Sequence, residues 1–268
     1  MSEPAETRVG VFGATGRMGR TVCEAVAAAD GMVLAAAADP HHEGHDLRSA
    51  VGVASDIVIT GGRLGLRPGD VDVMVDFTEA AAARENLLWC AENGVHAVIG
   101  TSGLGADDVE AARAAFTRSN CIIVPNFAIG AVLMVRLAEL AAPWFDSVEV
   151  IELHHDEKVD APSGTALHTL ERLAGASPQW TPDPTTRQVV EGARGARGPG
   201  GIAVHSIRLR GLFAHQEVLF GTTGQTLSIR HDAFDRSSMM PGVLLAIRHI
   251  GDRPGLTVGL ESILGLSG

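Results

Sequence analysis

The stretch VGVFGATGRMGR, residues 9–20, places an extended apolar run directly before three glycines, Gly13, Gly16 and Gly19, which lead into a helical pattern. A strand that passes through a glycine loop into a helix forms an anion site, because the backbone can approach the ligand closely and the first-turn amides point at it. The spacing is G-x-x-G-x-x-G rather than the commoner G-x-G-x-x-G, so the loop alone could also be an ordinary tight turn.

The second apolar run, MVLAAAAD, ends in Asp39. This is close to the offset of ~20 residues at which an acid meets the adenosine ribose hydroxyls in dinucleotide-binding folds. Strand, glycine loop, helix, strand and acid together predict a dinucleotide site, and the alternative is an Asp39 that only caps the turn before Pro40. Arg17 and His41 lie where they could meet a 2′-phosphate, so Asp39 favours NADH and leaves NADPH open.

The remaining pattern predicts an α/β protein with two domains. Short β-branched runs alternate with Ala-rich helical stretches as far as CIIVPN, which is typical of βαβ units around a parallel sheet. From Ala128 the pattern changes to helices and long strand-like runs, which predict an α+β domain with an antiparallel, open-faced sheet. The final helical run, SSMMPGVLLAIRHI, is expected to return to the first domain. We therefore predict a Rossmann-type parallel-sheet cofactor domain (1–126 and 236–268) with an inserted substrate domain (127–235), in which residues 177–201 form a loop.

Composition restricts the partners and the location. The formal net charge of −11 argues against nucleic acid and anionic membrane as partners. The polar N-terminal residues and the lack of a run of ~18 apolar residues predict a soluble cytoplasmic protein without a signal peptide or membrane span. Cys23, Cys90 and Cys121 are far apart in apolar surroundings, so they are expected to be buried thiols.

The segment ELHHDEKVDAPSGTA, residues 152–166, could serve a metal, an anion or a proton transfer. Strand alternation puts Glu152 and His154 on one face and His155 on the other, and no known ligand spacing is present, so we predict no metal. A helix that begins after Pro162 would expose the amides and hydroxyls of Ser163, Gly164 and Thr165 to a carboxylate or phosphate, with positive charge from Lys158 and His155. The alternative is a plain capped helix with solvated neighbours.

Two further loops follow predicted strands, GTSG at residue 100 and PNFAIG at residue 125. Open α/β sheets bind ligands at the carboxyl ends of parallel strands. Either loop could be only a strand-to-helix turn, but beside a dinucleotide loop the pair indicates a floor for the nicotinamide.

Taken together, VGVFGATGRMGR, VDFT, GTSG, VPNFAIGAV, ELHHDEKVDAPSGTAL and HQEVLFG resemble the dihydrodipicolinate reductase family, nicotinamide-dependent enzymes of bacterial diaminopimelate and lysine synthesis. The resemblance implies reduction of 4-hydroxy-tetrahydrodipicolinate to tetrahydrodipicolinate by NADH or NADPH. It also implies a homotetramer built by the open sheet, which would make the inserted domain a substrate-binding and oligomerisation domain. Ser102 stands where the family often has a second Thr, and Asp-Pro-His follows the second strand where some members have Glu-Arg, which leaves the cofactor preference open.

By position, the resemblance implies that His154 is the proton donor and acceptor, that Lys158 is a proton donor, and that His155, Gly164 and Thr165 hold the substrate carboxylates beside Ser163. The residues implied to line the cofactor are Gly13, Ala14, Thr15, Gly16, Arg17, Met18, Asp39, Gly100, Thr101, Ser102, Val124, Pro125, Asn126 and Phe127. A histidine suits this chemistry because its unperturbed pKa of about 6.5 allows it to supply a proton at neutral pH. The alternatives are another amino-acid or dicarboxylate dehydrogenase, of the diaminopimelate or aspartate type, and a non-catalytic nucleotide-binding sensor.

Overall fold

The computed structural model of the chain describes residues 6–177 and 179–266. They form two compact units. Unit 1 contains the described residues up to Phe127 together with those from Met239 onward, and unit 2 is Ala128–Ser238. No helix that the structure describes is both long enough and apolar enough to cross a membrane.

Unit 1 is built on a six-stranded sheet. Its strands are β1 (Thr7–Phe12), β2 (Met32–Ala38), β3 (Val73–Asp76), β4 (His96–Ile99), β5 (Cys121–Ile123) and β11 (Leu256–Val258), and its helices are α1 (Arg17–Ala27), α2 (Leu47–Val51), α3 (Ala80–Asn93), α4 (Ala106–Ala115) and α7 (Met240–His249). The strand order is β11-β5-β4-β3-β1-β2, and every pairing is parallel. This confirms the predicted Rossmann-type sheet.

Burial explains why these strands could be predicted from the sequence. A parallel sheet is covered on both faces, so its strands are nearly continuous apolar runs. All four residues of β3 and all three of β5 are buried accordingly. The three cysteines are buried and free, as predicted. Because the strands are parallel, their carboxyl ends lie at one edge of the sheet, where the chain carries the glycine loop.

Unit 2 contains a five-stranded sheet. Its elements are the strands β6 (Ser147–His154), β7 (Ala196–Arg197), β8 (Ala203–Arg208), β9 (Ala214–Thr222) and β10 (Gln225–Ala233), and the helices α5 (Ile129–Ala141) and α6 (Gly164–Ala176). The strand order is β10-β9-β6-β8-β7. Short 3₁₀ helices lie at Arg63–Gly65, Pro68–Asp70, Ala142–Trp144, Pro199–Gly201, Arg236–Met239 and Ile250–Asp252.

The predicted antiparallel sheet is wrong in one pairing, because β6 runs parallel to β8. The connection between these strands contains α6, and a long crossover of this kind returns the chain to its starting end. The short strand β7 also falls inside the segment 177–201 that was predicted to be a loop. One face of the sheet packs on α5 and α6 through a core that includes Val150, Leu170 and Phe220.

Candidate active site

The glycine loop has the geometry of a phosphate cradle. Gly13 has φ +65°, which side chains rarely allow, and its carbonyl accepts a hydrogen bond from the Gly16 amide at 3.0 Å. A Cβ on Gly19 would lie 2.0 Å from the Gly13 oxygen and 2.8 Å from Ala14 Cα, so only glycine lets α1 pack against the loop. Gly16 and Arg17, at the start of this 11-residue helix, are exposed. The residues therefore fit a pyrophosphate at a helix N-terminus.

Asp39 is buried behind this loop and is hydrogen-bonded to it. Its Oδ2 accepts from the Thr15 amide at 3.1 Å and from Thr15 Oγ1 at 2.6 Å, while Oδ1 accepts from the His41 amide at 3.0 Å. Burial works to raise the pKa of Asp39, but the hydrogen bonds from Thr15 and His41 outweigh it and the pKa is lowered. The carboxylate thus both caps its turn and ties β2 to the glycine loop. His42 Nδ1 lies 2.9 Å from Thr15 Oγ1.

At the end of β3, Asp76 joins three neighbouring elements. The residue has no exposed surface, and its carboxyl group accepts hydrogen bonds from the Thr78 amide (2.7 Å), Thr78 Oγ1 (2.6 Å), Thr101 Oγ1 (2.9 Å) and Asn86 Nδ2 (2.8 Å). Thr101 follows β4 and Asn86 lies in α3. Asp76 therefore fixes the loop after β4, where part of the nicotinamide floor was predicted.

The loops after β4 and β5 also meet. A Cβ on Gly100 would lie 2.1 Å from the Phe77 ring, so the glycine leaves room for that ring, whose centroid lies 5.4 Å from that of Phe127. The Val124 amide donates to the Ile99 carbonyl at 2.9 Å. All the predicted cofactor residues thus lie in unit 1, in the glycine loop, in the first turn of α1 or just beyond the carboxyl ends of β2, β4 and β5.

The last residue of β6, His154, is bonded to a buried acid. Its Nδ1 lies 2.5 Å from Oε2 of Glu152, a residue with no exposed surface, as strand alternation predicted for these two side chains. Arg208 Nη1 donates to Glu152 Oε2 at 3.0 Å, and Nη2 donates to Oε1 at 2.8 Å. Burial works to raise the pKa of Glu152, but hydrogen bonds from His154, Arg208 and Ser206 lower it to about 2. Glu152 is therefore ionised at neutral pH.

The loop that follows β6 carries the second predicted proton donor. Lys158 Nζ donates to Asp160 Oδ1 at 2.7 Å, and its amide donates to the His155 carbonyl at 3.2 Å, so this part of the loop is a closed turn. Arg208 Nη2 also donates to the Asp160 carbonyl at 2.6 Å, which links the turn to β8. His155 is half-buried.

Helix α6 begins at Gly164, with Ser163 as its N-cap. Ser163 is buried, and its Oγ accepts from the Ala166 amide at 3.2 Å, so the structure gives this hydroxyl to the cap. Gly164 is exposed and Thr165 is half-buried at the start of the helix. The predicted substrate residues thus share one stretch of unit 2, at a helix N-terminus, which favours an anion such as a carboxylate. Within residues 6–177 and 179–266, no group of three His, Cys, Asp or Glu side chains is placed to hold a metal ion.

Comparison with known proteins identifies the family. Residues 7–127 match the family described as dihydrodipicolinate reductase, N-terminus, and residues 130–264 match its C-terminus. The chain belongs to the dihydrodipicolinate reductase family. This confirms the resemblance predicted from the sequence motifs.

Individual relatives extend this match over nearly the whole chain. Proteins named 4-hydroxy-tetrahydrodipicolinate reductase from Mycobacterium sp. (strain KMS) and Nocardia farcinica (strain IFM 10152) are 47% and 48% identical to it, over 97% of this chain and 100% and 99% of their own lengths. A dipicolinate-bound dihydrodipicolinate reductase from Paenisporosarcina sp. TG-14 is 38% identical with a TM-score of 0.85, covering 96% of this chain and 99% of that one. An amine dehydrogenase from Mycobacterium smegmatis, 15% identical with a TM-score of 0.62 over 94% and 95% of the two chains, shares the fold alone.

Sequence reasoning did not assign a role to three residues that organise the site. Asp76 ends a strand and is followed two residues later by a threonine, a local signal for a capped turn. Arg208 gave no local signal, since its partner Glu152 lies 56 residues away. Glu152 was placed on the face of His154, but its buried ion pair became apparent only in the structure.

Proposed function

We propose that this chain catalyses the NADH- or NADPH-dependent reduction of 4-hydroxy-tetrahydrodipicolinate to tetrahydrodipicolinate, in the synthesis of diaminopimelate and lysine. The observation that carries the proposal is the segment from Glu152 to Thr165. It combines a histidine on a buried carboxylate, a lysine in a closed turn and a helix N-terminus, within a chain of the reductase family. A protein that only sensed nucleotides would have no use for two placed proton donors.

The cofactor is assigned to unit 1. Reductases of this family use a nicotinamide cofactor, which supplies a hydride when it is bound. Gly13 to Met18 would hold its pyrophosphate, since the glycines at 13 and 16 allow close approach of the backbone and the loop ends at the N-terminus of α1. Asp39 would accept hydrogen bonds from the adenosine ribose, and the loops from Gly100 to Ser102 and from Val124 to Phe127 would face the nicotinamide.

The substrate is assigned to unit 2. The N-terminus of α6, at Gly164 and Thr165, would bind one carboxylate, because the helix dipole favours an anion there and His155 and Lys158 add positive charge. Ser163 would act as the N-cap of α6, whose hydrogen bond from the Ala166 amide holds the first turn of the helix in place. His154 and Lys158 would supply protons to the reduced substrate, because hydride addition to a conjugated imine leaves negative charge that must be protonated.

The state of the protein in the cell is proposed from the family resemblance. We assign it to the cytoplasm as a homotetramer, with the sheet of unit 2 as the contact between subunits. Sedimentation of the purified chain tests this assignment, and a monomer at micromolar concentration would contradict it.

The function is tested by an assay with freshly generated 4-hydroxy-tetrahydrodipicolinate, in which oxidation of NADH and of NADPH is followed by the loss of absorbance of the reduced nicotinamide. Turnover with at least one cofactor is expected. Oxidation of diaminopimelate or aspartate with NAD or NADP, without turnover of the cyclic substrate, would identify a dehydrogenase instead. Cofactor binding without turnover of any of these compounds would identify a sensor.

A further inference from the structure

Glu152 occupies a position where a carboxylate is costly. It lies in β6, the central strand of the unit 2 sheet, where its Cα is paired with those of Ser206 on β8 and Gln216 on β9. It has no exposed surface. Burying a charge there is unfavourable unless hydrogen-bonding partners replace its water, and an apolar residue would serve the packing better. The carboxylate therefore needs a reason beyond packing.

The partners of this carboxylate indicate that reason. Arg208 contacts both oxygens and would by itself balance the charge, yet Oε2 also lies 2.5 Å from His154 Nδ1. An ionised carboxylate can only accept, so the proton of this hydrogen bond resides on Nδ1. The Nε2 atom of His154 is then the ring nitrogen that can exchange a proton with a bound substrate.

We infer that Glu152 is a positioning residue for proton transfer, which holds the His154 ring with Nδ1 protonated and stabilises the imidazolium from which the substrate takes its proton. The inference rests on the proposed function, because His154 is a donor only if the chain is the reductase. In the transfer the Nε2–H bond breaks, a C–H bond forms on the substrate, and the ring remains as the neutral Nδ1–H tautomer. Glu152 stays ionised throughout.

Charged groups from the surrounding elements support this assignment. From β8, Arg208 bonds Glu152 and also the Asp160 carbonyl, so one guanidinium connects the acid behind His154 to the turn that carries Lys158. Lys158 is itself paired with the Asp160 carboxylate. On β9 the neighbour of Glu152 is the uncharged Gln216. Glu152 is thus the anion in direct hydrogen bonding with the His154 ring.

The test is Glu152→Gln, which keeps the shape and one acceptor oxygen but removes the charge. We expect kcat to fall by roughly 10²- to 10⁴-fold, the upper end being the loss when the aspartate partner of a catalytic histidine is neutralised, with little change in KM. The alkaline limb of the kcat/KM pH profile should move to lower pH, since loss of an adjacent negative charge makes the imidazolium easier to deprotonate. A role confined to balancing Arg208 would lower the melting temperature without moving this limb.

Glu149→Gln is the matched control. Glu149 lies on the same strand and is likewise paired with an arginine and a histidine, through Arg194 at 2.5 Å and His205 at 2.8 Å, but three residues earlier and on the other face. The alkaline limb of its kcat/KM pH profile should stay at its wild-type position. An unchanged alkaline limb in Glu152→Gln, or a kcat within threefold of the wild type, would overturn the inference.

A second measurement tests the inference independently of the proposed function. If the wild type does not turn over the cyclic substrate, the proposed function fails, but the His154 ring can still be titrated by NMR in the full chain. Its signal is identified as the one lost in His154→Gln. A titration midpoint that is lower in Glu152→Gln than in the wild type supports the positioning role, and identical midpoints refute it.

Discussion

Replacing Asp39 with alanine is expected to reverse the choice between the two cofactors. In the proposed site its carboxylate accepts hydrogen bonds from the ribose hydroxyls of NADH and repels the 2′-phosphate of NADPH. The lowered pKa of Asp39 keeps it charged at neutral pH, so both effects operate there. The variant should bind NADH more weakly and should retain or improve its binding of NADPH.

The size of the change follows from the contacts. A hydrogen bond to a charged group contributes roughly 1.5–3 kcal/mol, which corresponds to a loss of about 10- to 150-fold in NADH affinity. The variant also loses the hydrogen bonds from the Thr15 amide, Thr15 Oγ1 and the His41 amide. This second loss loosens the glycine loop and acts on both cofactors alike, which offsets part of the gain expected for NADPH, so the ratio of the two dissociation constants is the informative quantity.

Thr15→Val is the control for the loop effect. It removes the 2.6 Å bond from Thr15 Oγ1 but leaves the Asp39 carboxylate in place. It should therefore weaken NADH and NADPH by the same factor. Dissociation constants for both cofactors are measured by fluorescence titration, together with kcat/KM for each. If Asp39→Ala weakens both cofactors equally, Asp39 only organises the turn, and the discrimination lies elsewhere, with Arg17 as the next residue to change.

Four further outcomes are expected. His154→Ala and Lys158→Ala should each lower kcat by roughly 10²–10⁴-fold with little change in cofactor affinity, and near-wild-type turnover in both would contradict their roles as proton donors. Pyridine-2,6-dicarboxylate should compete with the substrate, and Thr165→Val should weaken the binding of this inhibitor by about 1–3 kcal/mol. Activity should survive dialysis against EDTA, whereas a loss of activity that zinc restores would indicate a metal site. Gly19→Ala should lower the melting temperature and cofactor affinity together, because its Cβ would meet loop backbone at 2.0 Å, and an unchanged affinity would refute the tight packing. The pKa of Glu152 is lowered to about 2 in the folded chain. The stabilisation from its charge should therefore be complete above about pH 4.3, the ordinary pKa of a glutamate, and should be lost as the pH falls towards 2. Over that range the difference in unfolding free energy between the wild type and Glu152→Gln should shrink.

The fold of unit 1 could be predicted because its signals are local. Each buried parallel strand is a short apolar run, and the glycine loop and Asp39 stand at fixed distances from the first two of them. The sheet of unit 2 could be predicted only in part. Strand alternation shows that β6 and β8 are strands, but their parallel pairing depends on a crossover through α6 that no local pattern specifies.

The candidate site, too, could be predicted from the sequence only in part. The segment from His154 to Thr165 is continuous in sequence, so its residues could be singled out from the sequence. The groups that organise it come from distant segments: Arg208 is 56 residues from Glu152, and Thr101 is 25 residues from Asp76. A lone arginine in a strand is usually solvated, and only the folded chain shows that this one is paired with an acid that has no exposed surface.

The two fully buried acids that the sequence left without a role, Asp76 and Glu152, act through different kinds of partner. Asp76 receives its hydrogen bonds from hydroxyls, an amide side chain and a backbone N–H, all of them uncharged, and these bonds join β3, α3 and the loop after β4. Glu152 faces a guanidinium and an imidazole. An amide in place of Asp76 would disturb the geometry of the loop, because its NH₂ group would meet a donor. An amide in place of Glu152 would change the charge on which the protonated imidazole depends, so pH profiles separate the two roles where melting temperatures would not.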